Sequence, residues 1–105
     1  MLHICVYQVN QDKDEKAVAF LSLDMLEKFS GSKDVDPKIY EEVFEGVVSC
    51  NDLEDVFRMF NLEKPEGYEG RSLSVSDVVG IIDENGETHY HYCDSIGFKK
   101  IKFDA

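Results

Sequence analysis

The chain has 105 residues, 43% of them hydrophobic, and its 22 acidic residues face 11 basic ones, a formal net charge of −11. This length holds one core and not two, and the composition is that of a folded domain. A field of this sign repels nucleic acid and acidic lipid, which argues against direct nucleic-acid binding and for a basic partner surface; ordinary solubility is the competing explanation.

The acidity is uneven. Residues 32–70 hold eleven acids and four bases, whereas the segments before and after are each close to −2. No apolar run approaches the length of a membrane span. The start, Met1 to Tyr7, has neither a basic region nor a long apolar stretch, so a cytoplasmic protein is expected. Cys5, Cys50 and Cys93 are odd in number and form no CxxC pair, which fits reduced thiols.

Residues 2–9 are rich in β-branched and aromatic side chains and predict a strand. A polar loop follows over residues 10–16, and the apolar run 17–21 suggests a second strand. Ser22 is a good helix N-cap, Leu23, Leu26 and Phe29 share one helical face, and Gly31 suits the C-terminal cap. Asp36-Pro37 marks a turn. Residues 39–48 allow a helix by period, but Gly46 and Val47-Val48 favour a strand.

Asn51 is the expected cap of the next helix. Asp52, Glu54 and Asp55 complement its dipole, and Leu53, Val56, Phe57 and Phe60 form its apolar stripe. After a turn-rich connection over 63–70, residues 78–82 and 88–93 predict a hairpin about an Asn85-Gly86 type I′ turn. That turn would pair Ile82 with His89, Gly80 with His91 and Val78 with Cys93. A last short strand is expected at 101–103. The elements predict one α+β domain over residues 1–105, a small antiparallel sheet with a C-terminal hairpin packed against two or three short helices.

Catalytic signals are weak. His91 and Cys93 share a strand face, but no third group orients them, and residues two apart on a strand sit roughly 6–7 Å apart. No phosphate loop or His-Glu-x-x-His motif occurs. A metal is the stronger chemical idea. If the first strand and the hairpin strand were neighbours, His3, Cys5, His91 and Cys93 would offer two imidazoles and two thiolates, a zinc donor set. The alternative is that both cysteines are small core residues.

Arg71-Ser72-Leu73-Ser74-Val75-Ser76-Asp77-Val78-Val79 alternates apolar and Ser residues without an evident packing reason. Together with Asn85-Gly86, Tyr90 to Tyr92, Asp94 to Phe98, Tyr40 to Gly46 and the 53–60 helix, it resembles the YodL-like domain family. His89, His91 and Cys93 depart from the residues expected there. The resemblance implies a non-catalytic module of Firmicutes mobile genetic elements, often found beside antirestriction functions. One member is associated with interference with an actin-like filament. The expected function is therefore binding and inhibition of a host protein, first a CRISPR or restriction nuclease, through Glu41, Glu42, Glu45, Asp52, Glu54 and Asp55. The alternative is an adaptor for another host protein such as a cytoskeletal filament, with or without zinc.

Overall fold

The computed structural model describes residues 1–15, 17–66, 68 and 70–103. Five antiparallel strands, β1 (Leu2–Val9), β2 (Tyr40–Val48), β3 (Val78–Ile82), β4 (Thr88–Cys93) and β5 (Phe98–Ile101), form one sheet in the order β2-β1-β3-β4-β5. Two helices, α1 (Leu23–Ser30) and α2 (Leu53–Leu62), cover opposite faces of it.

The alternation of side chains along β1 explains the three layers. Ile4 and Val6 join Val79, Val56 and Phe60 beneath α2. Val9 joins Val78, Tyr92, Leu23 and Leu26 beneath α1. Because Val78 and Val79 of the middle strand are both fully buried on opposite faces, β3 reads as a continuous apolar run. Against β2 the register shifts after Val6, which pairs with Phe44 while Tyr7 pairs with Glu42. Val43 is the extra residue of a bulge.

α1 starts and stops as its sequence dictates. The Ser22 hydroxyl accepts from the Met25 N–H, and Gly31 closes the helix in the left-handed region at φ 82°. Phe29, however, is 68% exposed, so the inward stripe is Leu23 and Leu26 alone. α2 is capped one residue later than expected, by Asp52, whose side chain accepts from the Asp55 N–H.

Three further expectations are corrected. Residues 17–21 are not a strand: Ala17 and Phe20 have φ of 54° and 68°, and the Asp14 carboxylate accepts from the Val18 and Ala19 N–H groups instead. The last strand ends at Ile101 rather than beginning there. The hairpin register is shifted by one residue, pairing Ile81 with His89, Gly80 with Tyr90 and Val78 with Tyr92. The Asp83 carboxylate causes that shift. Its Oδ1 accepts from the Asn85 and Glu87 N–H groups, while Gly86 N–H bonds the Asp83 carbonyl and Asp83 N–H bonds the Glu87 carbonyl. The loop is longer than a two-residue turn, and only Gly86 takes positive φ, at 81°.

Gly80 is held small by its neighbours. A Cβ there would lie 2.5 Å from Cys5 Sγ and 2.7 Å from Thr88 Cγ2. Gly80→Ala is therefore expected to destabilise the domain by about 1–3 kcal/mol through overpacking. Urea titration measures this, and placing the change in a Cys5→Ala background should recover part of the loss. An unchanged midpoint in the single variant would show that the sheet yields at this point.

Candidate functional site

β2 is an edge strand, and its carboxylates lie along it. Glu41, Glu42 and Glu45 are exposed. On the face away from α2, the Tyr7 hydroxyl donates to Glu42 Oε2 at 3.3 Å, and His3 Nε2 lies 2.8 Å from Glu45 Oε2. Asn10 Nδ2 reaches Glu41 Oε2 at 3.4 Å.

The acids at the start of α2 are set apart from these. Asp52 is occupied as the helix cap, and Asp55 accepts from the Asn51 N–H and pairs with Arg58 Nη1 at 2.9 Å. The Asn51 hydrogen bond and then Arg58 hold the Asp55 carboxyl below its ordinary range. Glu54 is exposed and borders a separate recess with Cys93 and Phe98. The six acidic residues expected to form one surface thus divide into two groups, because α2 packs on the face opposite Glu42 and Glu45.

A different grouping emerges at the other end of β2. The Asn10 N–H bonds the Ile39 carbonyl at 2.8 Å, which joins the loop after β1 to the approach to β2. Two recesses adjoin this link. One, of about 310 Å³, has Leu26, Val35, Ile39, Tyr40 and Tyr92 among its lining, with Asp14, Glu15, Asp34 and Asp36 as its carboxylates and Lys13 as its cation. The other, of about 620 Å³, carries Asp12, Glu41 and Glu42 opposite Arg71. Asp12, Asp14 and Glu15 were not singled out in the sequence, since they lie in a loop far from residues 34–42. The polar run 10–16 was the one available signal.

Behind the second recess sits a buried polar clamp. Asp77 is fully buried, and its Oδ2 accepts from Gln8 Nε2 at 3.1 Å and from the Ser74 N–H at 2.8 Å. Gln8 also holds Arg71 through both its backbone N–H and its carbonyl. The Arg71 guanidinium lies 4.0 Å from Asp77 Oδ1 and stacks over the Phe20 ring. Burial pushes the Asp77 carboxyl up to about 6, more than the Ser74 and Gln8 hydrogen bonds lower it. Ser76, at φ 85°, accepts from the Phe20 N–H through Oγ, and its carbonyl accepts from the Tyr40 hydroxyl at 2.7 Å. Of the Ser side chains in this segment, Ser76 is the one that hydrogen-bonds among the described residues, and with the Ser74 backbone N–H on Asp77 the stretch ties β1, the approach to α1 and β2 together.

The four residues considered as zinc ligands do not converge. β3 lies between β1 and β4, and the registers put His3 and Cys5 on one face of the sheet and His91 and Cys93 on the other. Cys5 is buried against Gly80, and burial raises its thiol. Burial likewise pushes Cys93 up to about 12, so at neutral pH it is a thiol beneath α2 and not a thiolate. The desolvation of His91 lowers its imidazole.

A family model for the YodL-like domain matches residues 3–103, nearly the whole chain. The chain belongs to the YodL-like domain family. The match takes in the Asp77 clamp, the acidic recesses and the hairpin. No curated protein and no solved structure matches the chain. Among the described residues, no helix is long and apolar enough to cross a membrane.

Proposed function

We propose that this YodL-like domain binds and inhibits a host protein by covering a basic surface, and that a DNA-targeting defence nuclease of the CRISPR or restriction type is the first candidate. The carrying observation is the acidic end of the molecule, where Asp12, Glu41 and Glu42 line one recess and Asp14, Glu15, Asp34 and Asp36 an adjoining one. A nuclease offers a cationic channel for DNA, and a rigid polyanion gains affinity and speed of encounter against such a channel. The edge strand supports the same reading, since its exposed carboxylates discourage pairing with a second sheet and leave it free for a charged partner.

The test is inhibition of a purified type II CRISPR nuclease and of a restriction enzyme by stoichiometric excess of the domain. Inhibition is expected to weaken between about 0.1 and 0.5 M salt, as screening shortens the field. Replacing Asp12, Glu41 and Glu42 together by their amides should abolish it, whereas Glu54→Gln should leave it intact. Full nuclease activity at excess inhibitor would overturn the nuclease assignment. Recovery of a filament protein by co-purification would then support the adaptor reading.

A further inference from the structure

The hairpin loop brings together three groups that the partner-binding reading does not use. Asp83, Glu87 and His89 each offer a donor atom, and these atoms lie within 4.8 Å of one another. We propose that they bind a divalent transition-metal ion of the zinc class.

The arrangement follows from the loop. Asp83 Oδ1 is fixed by the Asn85 and Glu87 N–H groups, so the carboxylate plane is set by backbone, and Oδ2 is left facing His89 Nε2 at 2.8 Å. Glu87 and His89 are two apart, so their side chains leave the chain on the same side. Charge points the same way. Among the described residues, neither carboxylate has a Lys or Arg within ion-pair distance, and the His89 imidazole is the one side chain that Asp83 contacts as an ion-pair partner. Two carboxylates held this close without a cation favour a positive ion between them.

The donor set selects the class of ion. One imidazole nitrogen with two carboxylate oxygens suits borderline ions such as zinc or cobalt, whereas calcium and magnesium prefer oxygen alone. Three protein donors leave a fourth position for water. The site uses none of the three cysteines, which are buried elsewhere.

The experiment is calorimetric titration of tag-free full chain with zinc chloride, with magnesium chloride as control, followed by the cobalt(II) absorption spectrum. One zinc per chain is expected, with no magnesium heat and no thiolate-to-cobalt charge-transfer band. Glu87→Gln and His89→Gln, each checked for folding by circular dichroism, should each weaken zinc by at least about tenfold. Glu87 is exposed, so its variant is expected to fold and keeps the test decisive. Absence of zinc heat, unchanged affinity in both variants, or a thiolate band placing the ion on cysteine would each overturn the proposal.

Discussion

Acidification from about pH 7 to about pH 4 is expected to stabilise the wild-type domain relative to its Asp77→Asn variant by roughly 2–3 kcal/mol. The folded-state carboxyl titrates at about 6 against an ordinary value of 3.8. Between these values the native protein holds a proton that the unfolded chain does not, so stability falls as pH rises through that window. The stabilisation is complete below the unfolded value and is lost above the folded one. Asparagine presents the same acceptor to Ser74 and Gln8 without the charge, and the comparison removes the contributions of the other carboxylates. Urea midpoints at several pH values measure it; parallel profiles for the two proteins would remove Asp77 as the source. Asp77→Ala should instead be less stable by about 2–4 kcal/mol, because the Ser74 N–H and one of the two Gln8 amide hydrogens lose their buried acceptor, the other staying on the Arg71 carbonyl.

Phe60→Ala is expected to cost about 3–5 kcal/mol, a large part of what holds a domain of this size together. Phe60 is fully buried, with its ring 5.2 Å from Phe44 and 5.0 Å from Tyr68, both edge-on. It locks α2 to β2 and to the loop carrying Arg71, so its loss opens a cavity that the sheet cannot close. Phe57, three residues earlier, is 36% exposed and meets only the rim of the sheet near Phe98. Its truncation should cost less than half as much. Thermal or urea unfolding of the two variants separates them, and equal losses would mean that α2 is anchored along its whole apolar stripe.

The legible parts of this fold were those governed by local chemistry. Ser22 and Gly31 delimit α1 because a hydroxyl can cap an N–H and glycine can enter the left-handed region. β2 was legible because Gly46 and Val47-Val48 disfavour a helix. Misreadings arose where a side chain overrode backbone habit. Asp83 lengthened the Asn85-Gly86 loop and shifted the register, and in a sheet a shift of one residue exchanges every facing pair. Asp14 drew the chain at Val18 and Ala19 out of extended form.

The candidate sites were less legible, for the same reason at longer range. The amino-acid sequence by itself determined the strong negative charge, the mixture of antiparallel strands and helices and the family, since each follows from composition or a local string of residues. Which acids share a surface was decided by the strand order β2-β1-β3-β4-β5. That order places Asp12 and Asp14 beside residues 34–42, and it puts α2 with Asp52 and Asp55 on the face opposite Glu42 and Glu45. The same order sends His3 and Cys5 away from His91 and Cys93. Side-chain alternation is fixed within a strand, but whether two strands are neighbours, and with which faces matched, depends on pairings distant in sequence.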